Sequence, residues 1–460
     1  MRQLIGRLGF QAICLGVCVL CSATAPSATW AQTPTSTTPS AKSELDRQYD
    51  EAFQEMLRQP ADLDVLFRFA SVASQTGDLE GAISALERML LINANLPRVR
   101  LELGVLYYRL GSYEVARTYL EGALKSPTLP ADVRSRAEQF MAQIEKQQSP
   151  SHFSGELFVG FRYQSNANLG PATSAVRLFG QPANLNQQAV GASDWGAVST
   201  LQVRHTYDLG TQDKAALETV FTGYVNRQFQ LSAANVSLLD LTSGPRFQVF
   251  NGIFEDVSLK TFGAFGAIWV NDTPYYTSYG GGIEANILLG NNLRSISTAV
   301  WRKHDNNDTS YLPTNSLFRG TELTGNTILQ YQLTPIVTVF ASGSTQRYQT
   351  EQAPWQSYQL WGIGGGMSFR FPDPVLKTGL PWTISLTVGE QWWNYDAPDA
   401  IVDPAVYRTQ SDFIGTVVLA IPFDERTTFS LSGGRFARSA SLPNYAFDNN
   451  NVMVGVSWRF

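Results

Sequence analysis

Seven charged residues in the C-terminal two thirds of the chain stand where chemistry is conceivable: Glu156, Arg162, Arg204, Glu218, Glu284, Glu322 and Arg459. Each lies in a short segment whose residues alternate between apolar and small or polar. In an extended strand, residues two apart share a face, so these charges share the face opposite the apolar residues. The signs are mixed. Ion pairs along a hydrated wall explain them more simply than a selectivity filter. Neither a basic run for anion conduction nor an aromatic ladder for sugar is evident on that face. A catalytic role finds no motif. His152, His205 and His304 are the three histidines, and they are far apart. There is no nucleophile elbow, no phosphate loop and no carboxylate pair at a demanding spacing. The run from Arg302 to Asp308 reads as an exposed polar loop rather than a metal site. No cofactor and no metal are expected. An enzyme would need Ser, His and Asp within hydrogen-bond reach at the outer rim.

The elements that position these charges are strands. From Phe153 onward the hydrophobic period is 2, and about fourteen strands are expected, from 153–163, 193–207 and 215–229 through to 427–437 and 449–460. Each is near or above the ~9–11 residues that a tilted strand needs to cross a bilayer. In the first, Phe153, Leu157, Val159, Phe161 and Tyr163 share the apolar face. In the last, Val452, Val454, Val456, Trp458 and Phe460 do. An apolar outer face over a polar inner one is the pattern of a membrane barrel, which must close so that no backbone edge meets lipid. Short turns and longer loops are expected to alternate, Val270 to Thr277 being one of the loops. Tryptophans near strand ends fit an interfacial belt.

Composition agrees. Charged residues make up 16% of the chain, against about 25% in ordinary soluble proteins. A net charge of −5 argues against nucleic acid as a partner. Residues 1–31 read as a secretory signal, with Arg2 and Arg7 before an apolar run and cleavage expected after Ala31. Cys14, Cys18 and Cys21 are the only cysteines and all lie in it, so a mature chain would carry no thiol chemistry. Residues 32–43 read as a flexible leader.

Residues 44–148 have helical period and an internal repeat. Phe69 corresponds to Leu103, Gly77 to Gly111, Ala82 to Ala116 and Leu86 to Leu120, each offset by 34 positions, the tetratricopeptide period. Helices over 44–59 and 131–147 flank the pair. The expected fold is therefore an N-terminal α-solenoid, tetratricopeptide-like, followed by a ~14-stranded antiparallel transmembrane β-barrel over 152–460. Stacked helix pairs present a concave face. Asp64, Phe67, Ser71 and Gln75 in the first repeat and Arg98, Leu101, Val105, Tyr108 and Arg109 in the second are candidates to line it and bind cargo.

The arrangement resembles the Slam family, the surface lipoprotein assembly modulators. The segment Ser154 to Asn168, a Gly-containing strand ending in an aromatic and then Asn166-x-Asn168, looks like that family's barrel opening. Gly455, Trp458 and Phe460 resemble the terminal signal read by the barrel-assembly machinery, with Met453 departing from the polar residue usual there. The resemblance implies an outer-membrane barrel with a periplasmic helical domain. It implies export or surface display of a lipoprotein or small secreted protein, with cargo or a chaperone held by the repeats. An exopolysaccharide-export porin with tetratricopeptide repeats is the alternative, and a passive porin or adhesin platform a further one.

Overall fold

A computed structural model describes residues 44–127, 129–211, 214–249, 256–309 and 312–460. The expected signal, 1–31, and leader, 32–43, lie outside the described residues. Two compact units meet in sequence at Ser149 and Pro150.

The first unit holds helices α1 (Glu44–Arg58), α2 (Leu63–Thr76), α3 (Leu79–Ile92), α4 (Pro97–Arg109), α5 (Tyr113–Leu124) and α6 (Ala131–Gln148). Their ends are written in the local sequence. Asp62 caps α2 by accepting from the backbone N–H of Asp64 and Val65, and Asp78 caps α3 through Gly81. Pro97 opens α4. Gly111 turns the chain between α4 and α5 at φ +75°, a left-handed conformation that favours glycine. The repeated positions are the core. Phe69, Ala82, Leu86, Leu103, Ala116 and Leu120 are all at most 2% exposed. Gly104 lets α4 and α5 touch, because a Cβ there would lie 2.6 Å from Leu120 Cγ. Tyr107 and Tyr119 stack and both donate to Glu87. Burial first, and then that hydrogen bond, pushes the Tyr107 hydroxyl up to about 12.

The second unit is a closed antiparallel barrel of fourteen strands. They are β1 (Ser151–Gln164), β4 (Asp194–Asp208), β5 (Ala216–Gln228), β6 (Val236–Gln248), β7 (Asp256–Val270), β8 (Thr273–Leu289), β9 (Leu293–Asn306), β10 (Gly320–Thr334), β11 (Val337–Thr350), β12 (Tyr358–Phe371), β13 (Trp382–Tyr395), β14 (Thr409–Pro422), β15 (Thr427–Ala440) and β16 (Phe447–Arg459). Between β1 and β4 a separate hairpin, β2 (Ala175–Leu178) with β3 (Gln181–Asn184), was not foreseen from sequence; its strands are too short to show a period. β1 closes the cylinder on β16, from Glu156 opposite Arg459 to Gln164 opposite Asn451. Phe153, Phe161, Trp195, Leu323, Ile363 and Trp458 are among the large apolar side chains left exposed on the outer face, as a lipid-facing band requires.

Loop lengths depart from the expected alternation in more than one place, since 372–381 is longer than 351–357 and 441–446, and the plainest departure is between β7 and β8. β7 and β8 run on to Val270 and Thr273, and only Asn271 and Asp272 join them, at φ 48° and 58°. Asn and Asp tolerate that left-handed pair, so a tight hairpin replaces the longer loop expected there. The longest connections, 165–193, 307–319 and 396–408, still share one end of the cylinder, here called the long-loop end. The other is the short-turn end.

Replacing Gly104 with Val should lower the helical unit's stability by about 1–3 kcal/mol through overpacking against Leu120. The check is a lower thermal midpoint in the 222 nm circular dichroism signal, with the barrel's heat-modifiable gel mobility unchanged.

Candidate functional site: the barrel lumen and the repeat groove

The inward charges come together as ion pairs. Glu218 on β5 is at the centre of the largest group. Lys260 Nζ lies 2.7 Å from its Oε1, Arg246 3.2 Å from the same atom, and Arg204 2.8 Å from its Oε2. Arg246 also reaches Glu284 at 2.7 Å. These residues come from five successive strands, β4 to β8, near the short-turn end. Register places Arg246 opposite Lys260, and Lys260 opposite Glu284. Lys260 is 3% exposed and Glu218 5%. A charge that deep is stable only when paired. Arg459 and Glu156 pair at 3.1 Å across the β1–β16 closure. Arg162 reaches over β4 to the Tyr224 hydroxyl at 3.3 Å.

A second group sits toward the long-loop end. Arg302 spans β8 and β7 to reach Asp240 at 2.7 Å, passing over Gly266, where a Cβ would lie 2.9 Å from its Nη1. Glu322 accepts from Gln346 at 2.8 Å and from Thr324. His304 lies 3.5 Å from Glu322 and is 6% exposed. This corrects the sequence reading of Arg302 to Asp308 as an exposed loop. Arg302, Lys303, His304 and Asp305 are in β9, and the polar inward residues there hid the strand's period.

The inner wall also holds the aromatic series that the sequence did not disclose. Tyr276, His304, Tyr348, Tyr358 and Trp393 follow one another across β8 to β13 with ring centroids 4.7 to 5.7 Å apart. The series continues through Tyr395 to Arg408, whose guanidinium lies 4.2 Å from the Tyr395 ring and 3.5 Å from Tyr445. Beside it, Arg438 makes a bidentate pair with Asp412 at 2.6 Å, with both side chains essentially buried. One or two such rings on a strand, and none on β10, carry no short-range signal, so only register reveals the row. Most of these rings are buried under loops, so they fasten the loops to the wall.

Asn166 and Asn168 stitch the first long loop at its base. Asn166 accepts from the Gly170 N–H and donates to the Gly170 carbonyl. Asn168 does the same to Ala192 N–H and the Val190 carbonyl. Asn449 of β16 accepts from the Asn166 N–H. Gly455 faces Gly160 across the closure, and the Phe158 ring lies over both. Trp458 and Phe460 stack on the outer face at 5.0 Å.

Among the repeat residues, Asp64, Phe67 and Arg98 are brought together. With Leu63, Met89, Leu96, Pro97, Val99 and Pro130 they line a groove of about 450 Å³. Ser71, Gln75 and Arg109 are exposed, and Val105 and Tyr108 half-buried. Arg109 donates to Ser74. Tyr108 packs on Tyr113 and Phe140, which ties α4 to α5 and α6. Leu101 is a correction. It is 1% exposed and packs with Ala116, Leu120 and Ala137. On α4 it falls on the side turned to its neighbours, which period alone did not resolve.

One Ser–His contact occurs, Ser151 Oγ to His205 Nε2 at 2.8 Å, with Phe153 stacked on the imidazole. No carboxylate hydrogen-bonds to His205 among the described residues, so the orienting acid of a hydrolytic triad does not accompany it.

These features define a tetratricopeptide-like helical domain followed by a closed fourteen-stranded barrel of the outer-membrane type. Residues 97–127 match the tetratricopeptide repeat family. No curated protein matches the chain. Among solved structures it is similar to the MamA protein, at 15% identity over 22% of this chain and 54% of that one, with a TM-score of 0.20. The chain thus spans about half the length of MamA. It is also similar to a loop L8 deletion mutant of OmpT, an outer membrane protein of Vibrio cholerae, at 8% identity over 67% of this chain and 99% of that one, with a TM-score of 0.35. A bacterial polysaccharide outer membrane secretin is similar at 10% identity over 66% and 98% of the respective chains, with a TM-score of 0.34.

Replacing Glu218 with Gln should leave three cations without their shared counter-charge and destabilise the barrel by about 3–5 kcal/mol. The temperature at which the folded gel band converts should fall. Changing Lys260 to Met in the same protein should restore much of it, since the most buried cation is then gone.

Proposed function

We propose that this chain is an outer-membrane translocon that assists export or surface display of a lipoprotein or small secreted protein. The observation that carries the reading is the groove on the repeats. Its floor is apolar, from Leu63, Phe67, Leu96 and Pro97, and exposed Asp64 and Arg98 stand at its edge with opposite charges. An extended or partly folded chain fits such a surface, with side chains in the groove and polar groups at the rim. In this reading the short-turn end faces the periplasm, as bacterial barrels keep short turns there. Ser151 enters the barrel at that end, opposite Tyr207. The helical domain is then periplasmic, where cargo or a chaperone meets it, and residues 1–31 are a signal removed on the way. Assembly would use the barrel-assembly machinery, with Gly455, Trp458 and Phe460 as its signal. Transport would draw on cargo folding or binding outside the cell.

A second reading is export of a polysaccharide, although Tyr358, Trp393, Tyr395, Arg408 and Arg438 are buried and so offer it no open sugar track. Deleting the gene and probing intact cells for surface display of a lipoprotein encoded beside it separates the two. Display should be lost and should return with the parent gene. A Phe67→Asp variant should restore it poorly, although its barrel is folded. Unchanged display with loss of a capsule or matrix assigns the polysaccharide instead.

A further inference from the structure

A groove of about 560 Å³ cuts the outer wall of the barrel across β6 to β9. Its floor is one register row: Ser243 opposite Gly263, and Gly263 opposite Gly281. Trp301 stands opposite Gly281 as the end wall. The next row toward the long-loop end, Leu241, Phe265 and Tyr279, forms the side. All four large side chains are among those exposed on the lipid-facing band. The groove is therefore continuous with the face that meets hydrocarbon.

Glycine weakens a strand, and inside one it often marks a close approach by backbone or by a ligand. At Gly281 the approach is by backbone, since a Cβ would lie 2.8 Å from the Phe262 carbonyl oxygen. Gly263 has no such cause. A Cβ there would meet nothing nearer than the Ser243 carbonyl oxygen at 4.0 Å, and its φ is not positive. What the missing side chain does is keep the floor low beside Phe265 and Trp301. The wall next to it is also short of a backbone bond. β6 and β7 pair at Ser243–Gly263 and again at Arg246–Lys260, but not at Gly244 and Pro245 between them. Pro245 has no N–H to give to that ladder. On the inner side Lys260 reaches past β6 to Glu218 at 2.7 Å and ties the strands across the gap. On the outer side the gap adjoins the groove floor.

A notch on a face bathed in hydrocarbon is filled by hydrocarbon, because water has no access and an empty notch forfeits its dispersion contacts. No charged residue lines it, and the Ser243 hydroxyl is already bonded to Thr219 at 2.7 Å. We propose that the groove is a lipid site, which holds one acyl chain of a membrane lipid against the β6–β7 wall. The site does not depend on what the barrel carries, so its test needs no cargo. The full chain is extracted from its membrane in mild detergent and weighed by native mass spectrometry, with folding checked by heat-modifiable mobility. The parent should keep one bound lipid, identified by its mass. Gly263→Leu, at a position with room for a side chain, should cut the lipid-bound fraction roughly tenfold or more. Gly343→Leu is the control: this outward glycine on β11 is equally open but stands between Ala341 and Thr345, without aromatic walls, and its variant should bind like the parent. Should Gly263→Leu fail to assemble, Phe265→Ala removes a wall and should lose the lipid as well. A parent without bound lipid, or a folded Gly263→Leu protein that keeps it, overturns the site. Equal loss in both glycine variants overturns it too, since any lipid contact would then serve. A parent that holds a second copy of the chain instead, and loses it with Gly263→Leu, overturns the lipid and assigns the groove to a dimer.

Discussion

Closure is the constraint on which the rest depends. A strand in hydrocarbon has no water for its backbone, so every edge N–H and C=O must find another strand. The pairing of β1 with β16 meets that demand, and the side chains along it serve the same end. Gly160 and Gly455 face each other there, and the Phe158 ring covers the bare backbone between them. Arg459 and Glu156 pair on the inner side of the closure, and Trp458 and Phe460 stack on the outer. Closure also fixes two faces for every strand. Charges away from the rims then go inward, where they neutralise one another, while outward ones such as Arg227 and Arg347 pair close to the long-loop end.

The lumen therefore has a divided wall. Five successive strands, β4 to β8, carry the Glu218 network, with Lys260 among the most buried charges of the barrel. The opposite run, β11 to β15, is lined by small residues such as Ser342, Gly364, Thr387 and Ser432, until the aromatic row and the Arg438–Asp412 pair take over near the long-loop end. A wall of paired charge is stiff, since moving one member strands another. The connections at the long-loop end are held differently, by small separate cores joined through polar contacts such as Arg177 to Asp403.

The helical domain follows a different logic. Its stability comes from close approach rather than closure. Gly104 admits Leu120, and the small residues Ala82 and Ala116 sit at no exposure where helices touch. The groove lies at the surface of that packed centre, bordered by α2 and α4 and by the turn into α6. Met89 and Val99 belong to the core beneath it, and Asp64 and Arg98 at its edge are exposed.

Local chemistry was enough to determine much of this protein. Period-2 alternation marked all fourteen strands, because lipid outside and water inside leave a two-residue signature on each. Parity placed Glu156, Glu218 and Glu284 inward, and a 34-residue offset located the repeat. Applied to β6 and β7, the same parity would have found Arg246 and Lys260. Parity gives a face but not a partner, however. That Glu218 gathers three cations, that Arg302 reaches Asp240 across two strands, and that rings from five strands form one row are consequences of register, which depends on how neighbouring strands slide into place. Leu101 shows the same limit in a helix, where several faces meet neighbours and period alone cannot rank them. The placing of the β2–β3 hairpin was decided only by tertiary structure, since Arg177 is 226 positions from Asp403 and 267 from Asn444 and meets them only once the barrel has closed.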